Sequence, residues 1–80
     1  MKKITLKYFA KLKDDIGKSS ETLEIEAKTL SDVYDFISNK YSLSLSKEFL
    51  KVALNDEFSD WDTEIEDSDT IVFIPPVAGG

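Results

Sequence analysis

The residues best suited to chemistry in this chain stand last: Gly79-Gly80, reached through Phe73-Ile74-Pro75-Pro76-Val77-Ala78. Glycine has no Cβ, so two in succession make a tip of minimal width and permissive backbone. Such a tip can thread a channel too narrow for any other residue and deliver an α-carboxylate at its far end. Pro75-Pro76 fixes two φ angles and removes two backbone donors, so the approach is stiff and extended. From Pro75 to Gly80 the reach is at most about 20 Å, at ~3.3–3.6 Å per residue. The competing reading is a frayed end, the common condition of chain termini. The tail alone does not choose between the two.

What the chain lacks narrows the chemistry further. It has no histidine and no cysteine, and all ten basic residues are lysine. Imidazole bases, thiol nucleophiles and the usual zinc ligands other than carboxylates are missing, so no metal site is expected. Without arginine, bidentate clamping of phosphate is unavailable. The net charge of −6 disfavours nucleic acid and anionic membranes as partners. An enzyme acting alone has little to work with, and a carrier or binding module is favoured. Eighty residues, 41% of them hydrophobic, suit one small core. No apolar run approaches a membrane span, and the opening Met-Lys-Lys leads into an alternating segment rather than a signal core. Together with the lack of cysteine, this leads us to expect a cytoplasmic protein.

Charge is unevenly spread. Lys2, Lys3, Lys7, Lys11 and Lys13 precede the first acid, whereas Asp56, Glu57, Asp60, Asp62, Glu64, Glu66, Asp67 and Asp69 crowd a segment without lysine. That segment reads either as a solvated loop or as a face that steers a basic partner.

The elements that must hold the tail follow from periodicity. Ile4, Leu6 and Tyr8 alternate with Lys3, Thr5 and Lys7, which predicts a half-buried strand over residues 3–9. Residues 10–20 read as a polar connection anchored by Leu12 and Ile16, and residues 21–26 as a second strand able to pair with the first. Leu30, Val33, Tyr34, Ile37 and Tyr41 then fall on one helical face, with Thr29 or Ser31 as N-cap. Residues 49–54 predict a third strand that turns at Asn55-Asp56. Residues 56–69 allow one short strand, with Phe58, Trp61 and Ile65 as the apolar exceptions. Thr70–Ile74 is a continuous β-branched and aromatic run, expected of a strand covered on both sides or central in its sheet. The right-handed crossover rule sets this last strand beside and parallel to the first. The expected fold is α+β: a mixed sheet of four to five strands, with one main helix across it and an extended Gly-Gly tail. Residues 1–74 form the domain and 75–80 a flexible tail.

Three segments make the chain resemble a known family. Tyr8-Phe9-Ala10-Lys11-Leu12 with Ile16-Gly17 is similar to an aromatic-aromatic-Ala segment followed by a hydrophobic-Gly pair. Val52-Ala53-Leu54-Asn55 and Asp67-Ser68-Asp69-Thr70-Ile71 are similar to a middle strand and an acidic turn, with Ser68 where glycine is often found. The ending resembles aromatic-x-Pro-Pro-Val-x-Gly-Gly. These are features of the ubiquitin-like β-grasp family and, within it, of the sulfur-carrying small subunits of molybdopterin synthase.

The resemblance implies a mechanism. A ubiquitin-activating-type adenylyltransferase would adenylate Gly80 with ATP, and a sulfur donor protein would convert the acyl-adenylate to a thiocarboxylate. The tail would then enter the large synthase subunit, in a heterotetramer, and give its sulfur to cyclic pyranopterin monophosphate. Two such transfers build the molybdopterin dithiolene. The catalytic pocket would belong to the large subunit, and no cofactor is expected to be held permanently. Gly80 is then the chemical site, Gly79 serves passage, and Ala78, Val77, Pro76 and Pro75 line the docking path. Phe9, opposite the inward set of the first strand, is the candidate exposed aromatic for a partner. The alternatives are a carrier for thiamine thiazole or tRNA thiolation, a protein modifier, or an interaction module whose tail is incidental.

Overall fold

The computed structural model describes residues 1–75. The expectations for Pro76, Val77, Ala78, Gly79 and Gly80 lie outside the described residues. Strands β1 (Lys2–Tyr8), β2 (Ser20–Ile25), β3 (Lys51–Leu54), β4 (Glu57–Ser59) and β5 (Thr70–Ile74) form one sheet in the order β2-β1-β5-β3-β4. β5 lies parallel to β1 and antiparallel to β3. The last strand is therefore central and parallel to the first, and the arrangement is the β-grasp expected from the sequence.

Helix α2 (Leu30–Tyr41) covers one face. Its Leu30, Val33, Tyr34 and Ile37 join Ile4, Leu6 and Tyr8 of β1, Ile71 and Phe73 of β5, and Val52 of β3 in a single core. Each fully buried side chain of this size contributes roughly 1.5–3 kcal/mol, so the stripe on α2 accounts for much of what holds a domain this small. Thr29 is the N-cap: its hydroxyl accepts from the Asp32 amide, and Asp32 accepts in return from the Thr29 and Lys28 amides. Those backbone donors hold the Asp32 carboxyl below its usual range.

Residues 10–20 differ from the expected polar connection. A short helix, α1 (Ala10–Ile16), stands there, entered from extended Phe9 and closed by Gly17 at φ 89°. The four-residue spacing of Leu12 and Ile16 was its helical signal, but seven residues are too few to display a period. Leu12 is fully buried and pins the helix to the core. At the next junction, a 3₁₀ turn over Lys47–Phe49 takes the start of the predicted third strand, leaving Phe49 exposed.

The acidic segment is largely built into the body. Carbonyls of Trp61 and Thr63 accept from the amides of Ser31 and Leu30, satisfying donors at the start of α2. Ile65 enters the core, and Trp61 stacks on Phe73 with centroids 6.0 Å apart. Asp67 accepts from the Lys3 amide and Asp69 from the Glu66 amide, each at 2.7 Å. Between them Ser68 takes φ 72°, the left-handed region where glycine is at home.

At the opposite edge of the sheet, Glu21 gathers three donors. Tyr8 Oη donates to it at 2.6 Å, Tyr41 Oη at 2.7 Å and Lys18 Nζ at 3.3 Å, tying β1, β2 and the end of α2 together. Partial burial pushes the Glu21 carboxyl up, but the hydrogen bonds from Tyr8, Tyr41 and Lys18 prevail and hold it below its usual range. Burial first, and then the hydrogen bond to Glu21 and its charge, push the Tyr8 phenol well above its ordinary value.

Candidate functional site

The sheet face away from α2 is built by the pleat. Along β1 and β5 the core takes Ile4, Leu6, Tyr8, Ile71 and Phe73, so Lys3, Thr5, Lys7, Thr70, Val72 and Ile74 point the other way. Strand β5 is thus covered on one side only: its continuous apolar run reflects a central position, not burial on both faces. Register aligns one row across all five strands, Ser20, Lys7, Val72, Ala53 and Phe58. In the next row Ile74 lies opposite Lys51.

Phe9 extends this surface. Tyr8 pairs with Phe73, so Phe9 comes level with Ile74, and its backbone (φ −131°, ψ 156°) continues the alternation of β1. Its ring is 51% exposed, as expected of a residue opposite Ile4, Leu6 and Tyr8. Ala10 then turns the chain at φ 52°, a left-handed conformation that sends α1 back toward the core. Phe58, three strand positions away, is 71% exposed. At ~4.8 Å per strand the two rings bracket a patch about 14 Å wide, floored by Val72, Ile74 and Ala53.

Phe58 owes its position to a turn. Asn55 and Asp56 both have positive φ, 51° and 72°, the two-residue geometry whose twist matches an antiparallel pair. The Asn55 amide donates to Asp69 Oδ1 and its Oδ1 accepts from the Thr70 amide, each at 2.9 Å. The hairpin is thereby latched to the start of β5, the strand that leads to the tail.

Pro75 follows Ile74 directly and is buried. It belongs to the body rather than to the tail, because the alternation of Ile71 and Phe73 carries on through it after the ladder ends. As a docking residue it offers a partner little surface. Sequence reasoning assigned no role to Phe58 and did not separate Val72 and Ile74 from the core positions between them. A single aromatic in an acidic stretch has no periodicity, and a continuous apolar run hides its own alternation.

Two hollows flank the patch. One, of about 280 Å³, is lined by Lys7, Tyr8, Phe9, Lys13, Ser19 and Ser20. The other, of about 300 Å³, lies at Lys51, Val52, Phe58, Ser59 and Asp60. Among the described residues no group of histidine, cysteine or carboxylate side chains converges as a metal site, and no helix is long and apolar enough to cross a membrane. The face is a partly apolar surface, rimmed by lysines, beside the strand that leads to the end of the chain.

Known proteins share both the sequence and the fold of this chain. The model of the ThiS family matches residues 6–80. The molybdopterin synthase sulfur carrier subunit of Haemophilus influenzae is 32% identical over 76 residues, covering 91% of this chain and 94% of that one. Among solved structures, a chain in the protein–protein complex of subunits 1 and 2 of molybdopterin-converting factor from Helicobacter pylori matches with TM-score 0.67 and 26% identity, over 98% of this chain and 99% of that one. SAMP1 from Haloferax volcanii superposes with TM-score 0.82 over 98% of this chain and 99% of that one, at 20% identity, a likeness of fold alone.

Proposed function

This chain belongs to the ThiS family, and on that premise we propose that it is the sulfur carrier subunit of a molybdopterin synthase. The observation that carries this reading is its likeness, over nearly the full length of both chains, to a molybdopterin synthase sulfur carrier subunit. The exposed face beside the strand that feeds the tail supports it, since a carrier must be gripped where its tip is presented.

In this reading Gly80 is the reacting residue. A carboxylate oxygen is a poor leaving group, so an adenylyltransferase partner uses ATP to form an acyl-adenylate at Gly80, releasing pyrophosphate. A sulfur donor protein then releases sulfur at the sulfide level, which attacks the acyl carbon, expels AMP and leaves a thiocarboxylate. The large subunit takes the tail into its catalytic pocket, where the sulfur passes to cyclic pyranopterin monophosphate. Gly79 keeps the tip narrow, and Pro76, Val77 and Ala78 line its path. Phe9, Phe58, Val72 and Ile74 form the surface on which the large subunit docks; that a similar chain is found in a protein–protein complex of subunits 1 and 2 from Helicobacter pylori supports a partner subunit. The carrier works in the cytoplasm, where ATP and reduced sulfur donors are at hand.

The reading is tested by intact mass after incubation with ATP, the activating enzyme and a sulfur source. An oxygen-to-sulfur shift at the C-terminus is expected. The thiocarboxylated protein with the large subunit should then convert cyclic pyranopterin monophosphate to molybdopterin. A chain that accepts sulfur but yields no molybdopterin would fail as this carrier and point to another acceptor pathway.

A further inference from the structure

The first hollow beside Phe9 has a composition at odds with the rest of the surface. The chain has 16 acids and ten lysines, yet Lys7 and Lys13 face this hollow with only Tyr8, Phe9, Ser19 and Ser20 around them. Among the described residues every ion pair lies elsewhere: Lys11 with Asp15, Lys18 with Glu21, and Lys47 with Asp35. Two lysines outside those pairs, two serines and an exposed ring line about 280 Å³ of open space. The row Ser20–Lys7–Val72 makes the hollow continuous with the apolar patch.

From this geometry we propose that the docking partner is a protein surface that carries carboxylates at the rim of an apolar patch, and that one of its acidic side chains enters the hollow between Lys7 and Lys13. The proposal rests on the carrier reading above and names the chemistry of the partner's contact. An apolar patch alone would accept many hydrophobic surfaces, whereas paired lysines at its edge fix orientation and reject a basic partner. A second copy of this chain is a poor occupant, because two such faces brought together would set their lysines against one another. At physiological salt, screening over about 8 Å removes most of the long-range repulsion from the net negative charge, leaving the local lysines to guide the last approach. The serines supply hydroxyl donors to the same carboxylate, and the Phe9 ring covers it from water.

The test is stopped-flow association of the full chain with the purified large synthase subunit across a salt series. For the unaltered chain the association rate should fall as salt rises. The double variant Lys7→Gln/Lys13→Gln should lose about tenfold in rate at low salt and flatten the salt dependence. A remote double variant, Lys28→Gln/Lys40→Gln, removes the same charge and should change the rate by less than twofold. Equal losses in both doubles would overturn the proposal, since bulk charge would then suffice. Unchanged binding by Lys7→Gln/Lys13→Gln would overturn it while leaving the carrier reading intact, whereas failure of the unaltered chain to bind would overturn both. Titration with inorganic phosphate, read by amide shifts at Ser19 and Ser20, covers the remaining occupant. Saturable shifts together with undisturbed protein association would assign the hollow to a small anion and sink the proposal.

Discussion

The two faces of the sheet are made by the same strands and meet opposite surroundings. On the covered face, Ile4, Leu6, Tyr8, Ile71 and Phe73 are at most 1% exposed and meet the apolar stripe of α2. On the open face, the residues between them, Lys7, Val72 and Ile74, continue into Phe9 and Phe58 and stay at the surface. Adjacent residues in one strand thus meet separate surroundings, the core on one side and, on the other, the surface proposed for docking. The pleat keeps the two faces apart, so a substitution on one should leave the other almost untouched.

The largest effect expected is at the tail. Deleting Gly80 should abolish sulfur acceptance, measured by intact mass, while the melting temperature stays unchanged; a shifted melting temperature would mean that the tip takes part in the fold. Next comes the covered face. Phe73→Ala should cost about 3–5 kcal/mol in urea unfolding, a large share of what a domain of this length possesses. On the open face, Phe9→Ala and Phe58→Ala should each weaken large-subunit binding by about 1–2 kcal/mol and shift unfolding by no more than about 0.5 kcal/mol. If those two variants unfold as readily as Phe73→Ala, the separation of faces is wrong.

Smaller effects sharpen the comparison at the rim of the covered face. The Glu21 carboxyl is held below its unfolded value, so its contribution is fully present above the ordinary glutamate range. That contribution is lost as pH falls through the lowered value, below the ordinary glutamate range. Melting temperature against pH should therefore drop more steeply for the unaltered chain than for Glu21→Gln. Smallest of all, Ser68→Gly should stabilise by up to about 1 kcal/mol, because glycine accepts φ 72° without the steric penalty that serine meets. Unchanged unfolding would show that the hydrogen bonds of Asp67 and Asp69 already absorb that penalty.

Much of this was legible in the residues themselves. Alternation placed Ile4, Leu6 and Tyr8 inside and Phe9 outside. The helical face from Leu30 to Tyr41 emerged from spacing, and side-chain chemistry narrowed its cap to Thr29 or Ser31, of which the fold uses Thr29. The absence of histidine, cysteine and arginine favoured a carrier or binding module, and it was the resemblance of the Pro-Pro-Val-Ala-Gly-Gly ending to a known family that implied a sulfur carrier. Local patterns suffice for such features because they are enforced by the backbone's own periods and by the functional groups a chain lacks.

Tertiary structure decided the rest. Helix α1 exists because Leu12 reaches a core that residues 10–16 do not display. Phe58 joins Val72 and Ile74 only because the Asn55-Asp56 turn folds β4 back beside β3, and Asn55 holds that hairpin to Asp69 and Thr70. The acidic segment gives its carbonyls to α2 and its carboxylates to backbone amides, a role set by neighbours distant in sequence. Composition and periodicity act over a few residues and fix what each segment can be. Which residues share a surface depends on strand order and register, and these are settled only when the whole core closes.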